Sequence, residues 1–272
     1  MTVKHPILRY HGSKWRISPW IIDFFPPHKV YVEPYGGGAS VLLRKAPAIT
    51  EVYNDLDGSV VNLMRVIRDP AMCERLANRL EATPYSRTEF NDAYEEVGDP
   101  VEDAARLCIR SFLGQSSKGI WMRSGFDTRI NPDGYCGRLN AFRRLPAVLS
   151  AACRRLFSTV IENDDAIAVI ERSNRSDALI YCDPPYHHST HASRVYRHRA
   201  DDEHHAKLAD ALRRTQAYVI VSGYASDAYD ELFEGWERRE RQSTADTGKK
   251  SVECVWLNPK VTEAQRQQRL IA

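Results

Sequence analysis

Val30-Tyr31-Val32-Glu33-Pro34-Tyr35-Gly36-Gly37-Gly38-Ala39-Ser40 is the stretch on which the fold turns. A short run of β-branched and aromatic residues reads as a buried strand, and the proline and three glycines that follow read as a tight turn. Val41-Leu42-Leu43 then reads as an apolar helix start. A second apolar run, Glu51-Val52-Tyr53-Asn54-Asp55, reads as another strand, and residues 58–67 carry Val61, Met64 and Ile67 at helical spacing. Upstream, residues 13–25 read as a helix, with Ser13 as a possible N-cap and Pro19 interrupting the pattern. The first 68 residues are therefore expected to run helix and then β-α-β-α.

This alternation stops at Asp69-Pro70. Residues 70–157 read as mainly helical, with turn signals at Thr83-Pro84, Gly98-Asp99-Pro100 and Asn131-Pro132-Asp133-Gly134. Strand and helix alternate again from Thr159-Val160-Ile161, through a helix from Asp165, to the apolar run Ala178-Leu179-Ile180-Tyr181-Cys182. A helix over 201–214, a buried strand at Tyr218-Val219-Ile220-Val221 and a short helix over 227–233 follow. Two closing strands, 236–241 and 253–257, flank the basic turn Thr247-Gly248-Lys249-Lys250 and form an antiparallel hairpin. The expected class is α/β, a mostly parallel sheet with helices on both faces. Residues 1–69 and 158–272 would make the sheet domain, and 70–157 an inserted helical domain.

Composition narrows the partners. Hydrophobic residues make up 43% of the 272, which suits a globular domain, and no apolar run reaches membrane-spanning length. The opening residues, Met1-Thr2-Val3-Lys4-His5-Pro6, have no apolar core of a secretory signal. Six cysteines are scattered without a Cys-x-x-Cys, as in reduced cytosolic proteins, so the expected location is cytoplasmic. The net charge is only +2, but its distribution is uneven. Residues 104–158 hold ten basic side chains opposed by Asp127 and Asp133 alone, an excess that suggests a polyanion.

In a sheet of this kind, ligands bind at the carboxyl ends of strands. Glycines 36 to 38 follow the first strand, and Asp55 closes the second, where an acid can accept hydrogen bonds from both hydroxyls of a ribose. Tyr10 and Lys14 lie upstream and could clamp the other end of the ligand. The spacing is not the dinucleotide fingerprint, because Val41 stands where its third glycine would be. A nucleoside without a pyrophosphate fits better.

Asp183-Pro184-Pro185-Tyr186 follows the 178–182 run. The prolines fix φ and lack N–H groups, so the strand end is stiff and its carbonyls face no local donor. An acid and a carbonyl there can accept two hydrogen bonds from one planar amino group, and the tyrosine can stack on the ring that carries it.

These stretches resemble a known family. The loop Glu33-Pro34-Tyr35-Gly36-Gly37-Gly38-Ala39-Ser40 and the motif Asp183-Pro184-Pro185-Tyr186 look like the signature pair of S-adenosylmethionine-dependent amino-methyltransferases. Leu8-Arg9-Tyr10-His11-Gly12-Ser13-Lys14 is similar to the opening of Dam-type DNA adenine methyltransferases, and the order of motifs agrees. The family often has Trp at the place of Tyr10, Gly at His11 and a further Gly at Ala39.

The resemblance implies a Rossmann-like methyltransferase sheet with an inserted target-recognition domain. It implies a site-specific enzyme that flips adenine out of double-stranded DNA and methylates its exocyclic amine, leaving S-adenosylhomocysteine. Tyr10, Lys14, Tyr35, Gly36, Gly38, Asp55, Asp165 and Asp183 would contact the cofactor, and Asp183, Pro184 and Tyr186 would act on the base. Arg123, Arg129, Arg138, Arg143 and Arg144 are candidate DNA contacts in the insertion. Arg194 and Arg197 are candidates in the loop after the motif. The expected assembly is a monomer, with a dimer on DNA as the alternative, and no membrane partner.

Other constellations point elsewhere less well. His187, His188 and His191, with His204 and His205, could suggest a metal, and His187 and His191 share an i, i+4 spacing, but in a loop that spacing does not make a metal site, and none is expected. Cytosine amines, RNA or protein amides are rival acceptors. Asp at the first motif position favours adenine, since Ser often accompanies cytosine and Asn glutamine. A non-catalytic DNA-binding protein on the same fold would not need Asp55, Asp183 or Tyr186. Ser222-Gly223-Tyr224, after the fifth strand, shapes the base pocket or is a plain turn.

Overall fold

The computed structural model describes residues 3–131, 134, 136–185, 201–244 and 250–271. Its contacts divide the chain into two compact units. The first comprises Met1–Ser18, Gly37–Pro47 and Asp57–Ile161, and the second Pro19–Gly36, Ala48–Leu56 and Glu162–Ala272.

Among the described residues, seven strands form one sheet: β1 (Val30–Glu33), β2 (Thr50–Asn54), β3 (Thr159–Glu162), β4 (Ala178–Cys182), β5 (Tyr218–Tyr224), β6 (Glu237–Thr244) and β7 (Lys250–Leu257). Their order is β3-β2-β1-β4-β5-β7-β6. β1 runs parallel to both β2 and β4, and β4 parallel to β5. β7 is antiparallel to β5 and to β6, which makes the closing hairpin expected from the sequence. All five residues of β4 are buried, as an inner parallel strand requires.

In the second unit the core of the sheet includes Val32, Ile180, Val219, Val221 and Trp256, covered by α7 (Ala166–Arg172), α8 (Asp202–Arg214) and α9 (Asp227–Leu232). Each such aliphatic side chain contributes roughly 1.5–3 kcal/mol by leaving water.

The first unit is helical. It holds α2 (Gly58–Arg68), α3 (Pro70–Glu81), α4 (Arg87–Asp92), α5 (Pro100–Leu113), a 3-10 turn (Ser117–Ile120) and α6 (Gly137–Leu156). The start signals act as expected: Asp57, Asp69, Ser86 and Asp99 cap α2 to α5 with their side chains, and Pro70 and Pro100 occupy first-turn positions. α2 packs on α5, and α3 on α6.

Three local expectations need correction. Residues 41–44 form turns rather than a helix, because Ala39 before them has a left-handed φ of 53° and Pro47 follows too soon for propagation. The first helix, α1, spans only Ser18–Ile22, so Pro19 sits in its opening turn rather than interrupting it. A last helix, α10 (Pro259–Ile271), was not anticipated. Asn258 starts it by accepting from the Val261 amide at 3.1 Å, with Pro259 next. It packs on β5 and β7.

Candidate active site

The order of the sheet creates a switch point. From β1 the chain proceeds outward to β2, and from β4 outward to β5, so the two central parallel strands diverge in connectivity. Ligand crevices in such sheets lie outside the carboxyl ends of these strands. Tyr35 and Gly36 leave β1 there, Asp55 follows β2 and Asp183 follows β4. The second unit thus gathers four of the predicted site residues at one edge of the sheet.

Around β1 and β2 the backbone is tightly held. The Gly36 amide donates to the Asn54 carbonyl at 2.7 Å. Asn54 Nδ2 donates to the carbonyls of Pro34 (2.9 Å) and Asp164 (3.0 Å), and its Oδ1 accepts from the Asp164 amide (2.9 Å). Asn163 Nδ2 donates to the Asp55 carbonyl at 2.8 Å. One asparagine thereby aligns the turns after β1 and β3. Gly36 is required sterically, since a Cβ there would lie 2.1 Å from the Tyr53 ring. Asp165 caps α7, its Oδ1 accepting from the amides of Ile167 and Ala168, and its charge reaches Tyr35. Burial, the main cause, pushes the Tyr35 hydroxyl well above the ordinary 10.0, so it keeps its proton. It meets His204 Nε2 at 2.8 Å.

Asp183 is half-buried beyond the last residue of β4. Its Oδ1 accepts from the Ser222 hydroxyl at 2.9 Å, and that oxygen lies 2.8 Å from the Tyr181 hydroxyl. Pro184 is buried beside it.

The first unit holds the other half of the glycine loop and the N-terminal motif. Gly12 has a left-handed φ of 74°, and the Ser13 amide donates to the Tyr10 carbonyl, so residues 10–13 form a turn. Lys14 is buried and donates to the Gly12 carbonyl at 3.0 Å. Gly37 has φ 46°, and a Cβ on it would lie 2.9 Å from the Tyr10 ring, so the ring and the glycine backbone approach closely. Gly38 is nearly as close to Tyr10. Ser13 and Ser40 share a hydrogen bond of 2.8 Å. Tyr10 also meets Trp121 edge to face at 5.0 Å, and the Trp121 indole donates to Asp57 at 2.7 Å.

The sequence matches the family described as D12 class N6 adenine-specific DNA methyltransferase over residues 10–246. The chain belongs to this family. Its members are adenine-specific DNA methyltransferases, and the mostly parallel sheet with an antiparallel hairpin is the α/β fold expected of one.

The arginines of this methyltransferase are less uniform than their number suggests. Arg110 and Arg155 are buried and donate to the carbonyls of Ala93 and Leu42. Arg106 binds Glu102 and two carbonyls. Arg129 and Arg138 both pair with Asp127, which has no exposed surface. Arg123 lies over the Tyr94 ring at 5.3 Å, and Arg143 and Arg144 are exposed on α6. Tyr186, Arg194, Arg197 and the histidines at 187, 188 and 191 lie outside the described residues, as do Pro132, Asp133 and Tyr135.

Sequence reasoning did not single out Asn54, Trp121 or Tyr181, weighed His204 only within a discounted metal cluster, and left Ser222 open. Asn54 is the one with a signal, a buried amide at a strand end. Burial pushes the thiols of Cys73 and Cys108 up to about 12, so neither is a nucleophile near neutrality. Among the described residues no cluster of three or more His, Cys, Asp or Glu could hold a metal, and no helix is long and apolar enough to cross a membrane.

Proposed function

We propose that this enzyme transfers the methyl group of S-adenosylmethionine to the exocyclic amine of adenine in a specific site of double-stranded DNA. The observation that carries the reading is the place of Asp183, at the carboxyl end of β4 beside the switch point. S-adenosylmethionine supplies an electrophilic methyl on a sulfonium. The residues fit such a ligand: Asp55 closes β2 where a ribose diol would be accepted, and Tyr35 and Gly36 shape the turn after β1. Asp165 serves the adenine side, Tyr35 with Gly36 and Gly38 lines the methionine part, and Tyr10 and Lys14 are further cofactor contacts.

The adenine amine is a weak nucleophile because its lone pair conjugates with the ring. Asp183 and the Pro184 carbonyl accept its two N–H bonds and turn the lone pair toward the methyl. S-adenosylmethionine would supply its methyl directly to that nitrogen and depart as S-adenosylhomocysteine, and the proton the amine then sheds would pass along its hydrogen bond to Asp183 and on to water. Orientation and local electrostatics carry the rate. Tyr186 stacks on the base, which is flipped out of the duplex. Residues 70–157 act as the target-recognition domain. Arg123, Arg129, Arg138, Arg143 and Arg144, with Arg194 and Arg197, supply phosphate or guanine contacts.

Expression in a methylation-deficient bacterium, followed by direct detection of modified bases, tests this. N6-methyladenine confined to one short motif is expected. Methylcytosine would overturn the substrate, and methyladenine at every sequence would remove the recognition role of 70–157.

A further inference from the structure

Ser222 is five residues into β5 and almost completely buried. Its hydroxyl oxygen has three oxygen neighbours: Tyr181 Oη at 2.8 Å, Asp183 Oδ1 at 2.9 Å and the Cys182 carbonyl at 3.4 Å. A serine hydroxyl has one proton to donate. A carbonyl only accepts, and so does an ionised carboxylate. The charged acceptor at the shorter distance therefore takes the Ser222 proton. Tyr181 must then be the donor to Ser222 Oγ. Its ring is packed beside Phe25, with centroids 6.2 Å apart. The result is a relay of two hydroxyls that ends on the motif carboxylate.

We propose that Ser222 is a positioning residue for methyl transfer, its hydroxyl oriented by Tyr181 and pinning one oxygen of Asp183. The Asp183 side chain has two torsions, and a hydrogen bond to one carboxylate oxygen restricts both. With Oδ1 tied to β5, rotation of the carboxylate about its side-chain torsions is limited, and with it the range of directions from which the amine is accepted. The position on the neighbouring strand matters: β5 pairs in parallel with β4, Val221 opposite Cys182, so the donor and the acid advance past the same edge together. The inference rests on the reading of Asp183 as the acceptor of the amine.

The test compares Ser222→Ala, Ser222→Cys, Ser222→Thr, Tyr181→Phe, the double variant Ser222→Ala/Tyr181→Phe and Asp183→Ala. Single-turnover methylation of DNA is measured beside separate affinities for S-adenosylmethionine and for DNA. Ser222→Ala and the near-isosteric, weakly donating Ser222→Cys are expected to slow methyl transfer by roughly 10- to 100-fold. Both affinities should stay within about twofold, because the relay fixes an angle rather than a ligand. Ser222→Thr keeps the hydroxyl and should recover most of the rate. Tyr181→Phe should lose less than Ser222→Ala, and nothing further once Ser222 is already alanine.

An unchanged rate in Ser222→Ala, with Asp183→Ala inactive, overturns the positioning role and leaves the acceptor reading intact. Full activity in Asp183→Ala overturns the acceptor reading itself. Equal losses in rate and in cofactor affinity would assign Ser222 to the general packing of the sheet edge. If a Ser222 variant fails to fold, Tyr181→Phe carries the same comparison, and an unaltered rate there counts against the relay.

Discussion

Asp183 and Asp127 are both carboxylates fixed by donors, in different units and toward different ends. Asp183 stands at a strand terminus, half-buried, with a neutral hydroxyl on one oxygen. Asp127 is fully buried and takes the guanidinium groups of Arg129 and Arg138, an arrangement that anchors cations rather than presenting an acceptor. Neutral donors hold a carboxylate without cancelling its charge, so it can still receive a substrate N–H. Cationic donors neutralise it and fix themselves in the process.

The sharpest way to break this comparison is Asp183→Ala. Methyl transfer should fall by about 10³-fold or more, with the circular dichroism spectrum and melting temperature kept; appreciable turnover would show that the strand-end acid is not the acceptor. Asp127→Asn should do the opposite, lowering stability by about 1–3 kcal/mol through loss of charge-assisted bonds. The Arg129 guanidinium holds the Asp127 carboxyl below its usual 3.8. A depressed carboxyl pKa contributes stability above the unfolded value, near 3.9, that is lost as pH falls through the folded one. The gap in melting temperature between wild type and Asp127→Asn should therefore be full at pH 7 and shrink below about pH 4.

A smaller effect sharpens the cationic side. Arg123 is exposed and paired only with an aromatic face in the hydrogen-bond and ring contacts described. Arg123→Ala should weaken DNA binding a few-fold and reduce the salt slope of log K by about one, as loss of a phosphate contact does; an unchanged slope would remove it from the interface. The smallest effect concerns Ala39, the only non-glycine with positive φ among the described residues. Ala39→Gly should raise the stability to denaturant by up to about 1 kcal/mol, since a left-handed alanine carries its Cβ against the following carbonyl.

That last position explains a departure seen in the sequence. The family pattern resembled here ends its loop on glycine where this chain has Ala39, and the backbone there is left-handed. The motif was legible because its residues are neighbours in the chain and their geometry is local. The arginine excess of 104–158 was legible only as a count. Arg110 and Arg155 turn inward to carbonyls from distant segments, and nothing in their own surroundings in sequence marks them as buried. Likewise the apolar start at Val41 resembled a helix, but the backbone of Ala39 and the approach of Pro47 decided for turns.

By itself the sequence determined the alternation of strands and helices, the closing hairpin and the residues at the ends of β1, β2 and β4, because periodicity and proline–glycine chemistry act over a few residues. Only the tertiary structure decided that β1 and β4 are neighbours at the switch point, that Tyr53 leaves no room for a side chain at Gly36, and that Ser222, 39 residues from Asp183, donates to it. The physical reason is one of range. Backbone preferences are set by adjacent residues, whereas hydrogen bonds across strands depend on a register that the packed sheet alone establishes.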